Sequence, residues 1–441
     1  MILFASPVVW LMAADAEGAA QKLVSLGFEN VRVAEKGSDC IYASFESASY
    51  RGTYRGAAVG IEELGKLYPE VATFRVMLLE NQMPQMALTA TRKDDHWTVV
   101  GDYNYNDVAK ATRPVKQKNS SAGKIDLTVY PMFTWINHRL NTPFEYVASV
   151  APTIETSLWK GNRITLQPVI PVSYHVESIN SARYVHIGIA DIEQDLTSSD
   201  GRWKTTLAGG FFFFDRLGVD LRVAYHVTPS LTLSGEASYT GEAIVRDGHY
   251  DIGSPDRFSF FGKAEYYEPV TRLQGQLMGG RFVFGDYGAR LDVSRHFGDY
   301  TIGLYGVLTG GEHNGGFHFA IPLGPKRQMR KGRVRLKLPD YFDWEYSMVS
   351  HYEYYEEQMG KYIETRPDEN RSAHYWQPRH VAQYAEKILN REFTDEKIKD
   401  LKGLVKECGI EQTSIEEIFL KIAKEEGEDI NDDEIENVER E

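Results

Sequence analysis

Four charged residues stand in the middle of runs that otherwise alternate between apolar and polar side chains: Arg222, Glu236, Arg290 and Asp292. A charge at mid-strand must meet water, a counter-ion or a ligand. Sugars offer hydroxyls that suit such donors and acceptors, so these four are the candidate lumen-facing or glycan-facing residues. Solvation of a wet interior is the plainer use of the same charges. Glu312 and His313 lie in the glycine-rich stretch 310–316, which reads as a loop tip. His374 stands beside Tyr375, and Tyr341 to Tyr355 is crowded with aromatics that could stack on sugar rings or pack on a sheet. A metal site needs three or four converging ligands, and no such spacing occurs, so neither metal nor cofactor is expected. Cys40 and Cys408 are far apart in the chain and imply no structural disulfide. There is no phosphate-binding loop, no G-x-S-x-G, no H-E-x-x-H and no G-x-G-x-x-G after a strand. Nothing in the sequence points to an enzyme. Glycan hydrolysis would need two carboxylates about 5–10 Å apart, which a sequence cannot locate.

The elements that must position these charges are strands. Between Arg202 and Leu323 the side chains alternate with period two. Leu231, Leu233, Gly235, Ala237 and Tyr239 share one face, and Thr232, Ser234, Glu236, Ser238 and Thr240 share the other. Ala289, Leu291 and Val293, then Ile302, Leu304, Gly306 and Leu308, repeat the pattern. Turn signals at 215–218, 227–230, 268–271 and 297–300 separate the runs. Two architectures use such strands. A membrane β-barrel turns the apolar face to lipid and keeps a polar interior, with aromatics at the strand ends. A soluble sandwich or barrel turns the apolar face inward. Several runs approach the about 9–11 residues that cross a bilayer, and the charged mid-strand positions favour the membrane form. One feature departs from an up-and-down barrel: the turns at 215–218 and 227–230 are both short, whereas outer-membrane barrels alternate short and long connections.

The chain has 441 residues, a net charge of −14 and 12 % aromatic residues. Its acidity argues against a nucleic-acid partner. From 391 to 441 there are 18 acidic and 8 basic residues, so most of the excess lies in the tail. The run from Ile2 to Ala13, followed by Ala14-Asp15-Ala16, reads as a truncated signal peptide over 1–16 that lacks a basic start.

Residues 17–93 alternate helix and strand and form a small α/β module. Helices are expected at 16–26 and 57–68, strands at 31–34, 40–44, 74–80 and 85–91, and an extended stretch at 50–55. Polar residues 94–123 read as a linker. Strands follow over 124–338, those near Pro131, Pro152, Pro168 and Pro171 being bulged, kinked or at an edge. Val334, Leu336 and Leu338 suggest a closing strand. Residues 339–390 read as an aromatic-rich extension with a helix at 381–389. Residues 391–441 read as an acidic helical tail, with Ser414 and Glu417 forming a capping box.

Three segments carry a resemblance. Phe45-Glu-Ser-Ala-Ser-Tyr-Arg51 resembles the E-x-x-x-Y-R element of the α/β modules in YjbH-like proteins. Gly288 to Gly298, with Thr301 to Thr309, is similar to a strand pair of that family, and Gly315 to Leu323 to its strand ending in I-P-L. The resemblance covers roughly 20–340. It implies a mainly β, outer-membrane antiparallel β-barrel preceded by a small α/β module, here followed by a short helical acidic tail. It also implies a non-enzymatic role in export or assembly of an exopolysaccharide or capsule, with polysaccharide, outer-membrane lipid and periplasmic proteins of the export system as partners. A soluble all-β carbohydrate-binding module is the alternative. The shortness of this chain and its acidic tail depart from the family.

Overall fold

A computed structural model describes residues 15–390 except 37–38, 95, 137–144, 177–180, 349–350 and 368–374. The expected signal peptide, apart from Asp15 and Ala16, the tail, Cys408 and His374 lie outside the described residues. Cys40 is a free thiol.

The α/β module contains α1 (Ala16–Ser25), β1 (Glu29–Glu35), β2 (Cys40–Glu46), α2 (Thr53–Leu67), β3 (Thr73–Glu80), β4 (Met83–Lys93), β5 (His96–Asp102) and α3 (Asn106–Thr112). Its sheet runs in sequence order. Only β2 and β3 are parallel, with α2 as their crossover. Tyr54, Ala57, Ala58, Ile61 and Leu64 form the buried face of α2 at helical spacing. The β3–β4 hairpin turns through Asn81 and Gln82, both with positive φ, as a two-residue hairpin loop with the twist of the strands requires. Two expectations need correction. Helix α2 begins at Thr53, inside the stretch expected to be extended. The supposed linker 94–123 holds β5 and α3; β5 alternates exposed and buried residues and completes the module sheet.

The rest is mainly β. The strands are β6 (Ile125–Ile136), β7 (Glu145–Thr156), β8 (Asn162–His175), β9 (His186–Thr197), β10 (Trp203–Phe212), β11 (Arg216–His226) and β12 (Leu231–Arg246). They continue as β13 (His249–Ile252), β14 (Arg257–Glu268), β15 (Leu273–Arg281), β16 (Tyr287–Phe297), β17 (Tyr300–Thr309) and β18 (Glu312–Pro322). Last come β19 (Val334–Lys337) and β20 (Tyr341–Ser347). Neighbours from β6 to β18 pair antiparallel in chain order, with β13 folded back on β12, and β20 adds antiparallel to β18. β19 pairs parallel with the start of β6. The hydrogen-bonded ladder does not run round into a closed ring among the described residues. Pro168 and Pro171 sit where the registers of β8 with β9 and with β7 slip, so bulges absorb their missing donors.

The expected 338 boundary also needs correction, because β20 is a strand of the large sheet. So does the supposed loop 310–316. The turn is Gly310-Gly311, and Glu312 begins β18. Connections on the module side are all short up to β18, while those on the other side are mixed: 213–215 is short and 176–185 is long. This explains the two short turns in succession. After β20 come α4 (Tyr352–Glu356), an irregular strap described over 357–367, and α5 (Pro378–Leu389). α5 packs on α2 and β5 and so belongs to the module. Val99 N–H donates to Glu386 Oε2 at 2.6 Å, closing the free edge of β5.

The two faces of the large sheet are reversed relative to a soluble protein. In β17 the exposed residues are Tyr300, Ile302, Leu304, Gly306 and Leu308; the buried ones are Thr301, Gly303, Tyr305, Val307 and Thr309. In β12, Leu233 and Tyr239 are exposed while Ser238 and Thr240 are buried. Asp191, Glu193, Asp195 and Asp220 are buried, and Ile192, Leu207 and Leu221 are exposed. Soluble domains bury the apolar residues and almost never bury so many acids.

Candidate functional site

The candidate site is the covered face of the large sheet and the strap that lies on it. Alternation in β9 places Asp191, Glu193 and Asp195 on that face at every second residue. Glu193 is the centre of the first cluster. Arg163 Nη2 reaches its Oε2 at 3.0 Å, and Arg222 Nη2 donates to its Oε1 at 3.0 Å. From the strap, Arg366 Nε donates to Oε2 at 3.1 Å and the Thr365 hydroxyl donates to Oε1. Arg222 also donates to Thr365 Oγ1 at 2.6 Å. Arg366 reaches on to Asp195 at 3.9 Å and to Glu80 of β3 at 3.6 Å. One side chain therefore ties strap, sheet and module together. An isolated buried carboxylate would be costly, and three guanidinium groups around Glu193 offset that cost.

The second cluster centres on Asp292. Arg290 Nη2 lies 3.4 Å from Asp292 Oδ2 and donates to Glu345 of β20 at 2.9 Å. The His318 Nε2 contacts both Asp292 oxygens at 3.0 Å, and Ser294 Oγ donates to Asp292 at 2.8 Å. His318 reaches across β17 because Gly303 lies between; a methyl group there would stand 2.2 Å from the ring. Serine, histidine and aspartate thus meet, but Ser294 and Asp292 share one ring nitrogen. A nucleophilic relay needs the base to use opposite nitrogens, and this arrangement cannot supply it.

The four sequence candidates all lie on the covered face, as two groups. Arg222 and Glu236 are register partners across β11 and β12, and a cavity of about 140 Å³ lies beside them, also lined by Lys204 and Lys263. Arg290 and Asp292 line another of about 30 Å³. These spaces are sized for waters, not for a sugar chain. Sequence reasoning missed Glu193 and Arg366. The acidic row of β9 carried a period-two signal; Arg366 sits in irregular chain and carried none.

The strap follows the covered face. Met359 packs with Phe261, Met278, Phe282, Tyr305 and Val307, and Ile363 with Ala208, Phe212 and Val283. Its backbone is paired with the sheet rim: Val283 N–H donates to Lys361 O at 2.9 Å and Phe213 N–H to Glu364 O at 3.2 Å. At the module side, Asp299 in the β16–β17 turn accepts from Arg51 at 2.7 Å, from Arg55 at 3.0 Å and from the Tyr54 hydroxyl. Burial pushes the Asp299 carboxyl up, but Arg55 and Arg51 beside it more than offset this and hold it below the ordinary aspartate range. Burial holds His380 of α5 well below the usual histidine value, with His296 and Arg272 adding to it. No protein-family model, curated protein or solved structure matches the chain.

Proposed function

We propose that the large sheet closes into an outer-membrane β-barrel, with the module on its periplasmic side, and that the protein assists export or assembly of an exopolysaccharide or capsule without catalysing a reaction. The observation that carries the membrane reading is the reversed burial: apolar side chains outward, charges inward. A soluble carbohydrate-binding module needs the opposite arrangement. Exposed aromatics at the strand ends also favour a bilayer: Trp203, Tyr266 and Tyr300 toward the module, and Trp135, Phe258 and Tyr287 at the far end.

Closure is supported by the chain itself. Residues 338–340 alone join β19, paired to β6, to β20, paired to β18. Such a link spans at most about 14 Å. A flat sheet would hold those edges about 60 Å apart at about 4.8 Å per strand, so the sheet must curl. The indole N–H of Trp344 in β20 donates to Phe133 O in β6 at 2.9 Å, at the seam the barrel needs.

The polysaccharide part of the reading rests on the likeness of segments 45–51, 288–309 and 315–323 to YjbH-like proteins. The wet, charged interior is compatible with a hydroxyl-rich cargo, and the strap must shift before a chain could pass. The test is fractionation and folding. The protein should stay in carbonate-washed membranes and migrate anomalously on a detergent gel until boiled. Release into the soluble fraction with normal mobility would reject the barrel. For the cargo, deletion of the gene should lower surface polysaccharide, and unchanged polysaccharide would reject that part alone.

A further inference from the structure

Two arginines meet at the rim away from the module. Arg257 is the first residue of β14 and Arg281 the last of β15. Arg257 Nη1 donates to Phe284 O at 3.1 Å; Arg281 donates from Nη1 to Phe258 O at 3.0 Å and from Nε to Gly285 O at 3.4 Å. Between them is Gly285, at φ 104°. A methyl group built there would lie 3.1 Å from Arg257 Nη1 and 3.4 Å from Arg281 Nη2. The two guanidinium groups therefore face the same bare spot. Like charges so placed repel, and among the described residues no carboxylate pairs with either. Asp256 lies 3.8 Å from Arg216, and the Asp286 carboxylate accepts from Thr309 and from Gly360 N–H at 2.8 Å. Each guanidinium keeps donors beyond those spent on backbone carbonyls, since arginine has five.

Phe258, Phe260 and Tyr287 are exposed on the outward, apolar face beside this pair, and Arg281 lies 5.7 Å from the Tyr287 ring centroid. A planar cationic fork above an apolar aromatic surface fits an amphiphile with an anionic head. Guanidinium groups match phosphate oxygens in pairs, and the missing side chain at Gly285 leaves room for them. We propose that Arg257 and Arg281 bind the phosphate of a lipid headgroup in the leaflet away from the module, with its acyl chain against Phe258 and Tyr287. This rests on the membrane reading above.

The test uses the full chain in nanodiscs with equal amounts of phosphatidic acid and phosphatidylcholine of identical acyl chains, read by native mass spectrometry. Phosphatidic acid should be retained over phosphatidylcholine by about tenfold or more, the scale of one charge-assisted hydrogen bond. The double variant Arg257→Ala, Arg281→Ala should lose that preference while keeping its heat-modifiable mobility. The double lysine variant should keep only part of it, because lysine lacks the fork. Equal retention by the alanine variant overturns the proposal. Inorganic phosphate alone should bind delipidated protein more weakly than the lipid; equal affinity overturns the lipid assignment in favour of a free anion. Failure to enter membranes would remove the barrel reading itself, whereas insertion with no lipid preference removes only this site.

Discussion

β17 offers a scan of the outward face in one strand. Tyr300, Leu304 and Leu308 are 43 %, 66 % and 67 % exposed and point the same way. Four residues of strand advance about 13 Å. At a tilt of about 40° that is about 10 Å along the bilayer normal, close to half of the roughly 25 Å apolar band. With Tyr300 at the interface on the module side, Leu304 sits near the midplane and Leu308 approaches the opposite interface. Arginine at each position should therefore cost about 2–4 kcal/mol at 304 and about 0–1 kcal/mol at 300, with 308 between them or equal to 300. At 1.4 kcal/mol per tenfold, the middle variant loses about 30- to 700-fold in folding equilibrium. The assay is reversible unfolding from lipid vesicles in guanidinium, followed by gel mobility. In a soluble sheet all three are surface sites, where such changes usually stay within about 0.5 kcal/mol. A flat profile near zero would refute the lipid-facing assignment, whatever the family.

Other consequences are as direct. Arg366→Ala removes a side chain that strap, sheet and module share; in planar bilayers it should raise the open probability over a wild type that is mostly closed, and identical conductance traces would show that the strap does not gate. Gly303→Ala pushes a methyl into His318 and should cost about 1–3 kcal/mol as overpacking, with a shifted His318 signal in NMR; an unshifted signal would contradict the cross-strand placement. Asp299→Asn should destabilise the docked module by about 3–5 kcal/mol, as breaking a buried ion pair does. Because the folded-state pKa of Asp299 is depressed, its contribution is present above about pH 4 and lost as pH falls through the folded value; protease protection of the wild-type module should fall over that window, and that of the variant should not. Deleting 391–441 should leave insertion intact, and loss of the heat-modifiable band would place part of that segment in the fold.

The period-two pattern made most strands legible, because alternation survives whichever face is buried. The same property hid orientation. Leu233 and Glu236 announce two faces but not which one meets the outside; the burial in the structure, with Leu233 exposed and Glu193 of β9 buried, decides it. β5 was missed because His96, Thr98 and Val100 face solvent at a sheet edge and read as polar linker. The β20 strand was missed because aromatic residues face both ways, which erases alternation. The pairing of Glu193 with Arg366 spans 173 residues, and no local signal reaches that far.

The strand count explains the strap. Among the described residues thirteen long strands, β6 to β12, β14 to β18 and β20, alternate in direction. The first starts beside the module, so the thirteenth ends at the far rim. An even count would have returned the chain to the module side. Here α5 must still reach α2 and β5, and the chain needs a route back. Outside the proposed barrel that route crosses lipid, where each unpaired backbone group costs several kcal/mol. Inside it, the wall supplies partners: Val283 and Phe213 donate to Lys361 and Glu364, and Arg163 donates to Thr365 O at 3.4 Å. The odd count, the parallel meeting of β19 with β6 and the strap on the covered face are thus one structural decision. It also ties opening to docking. Arg366 bridges Glu193 and Glu80, so a strap that leaves the sheet must also let go of the module.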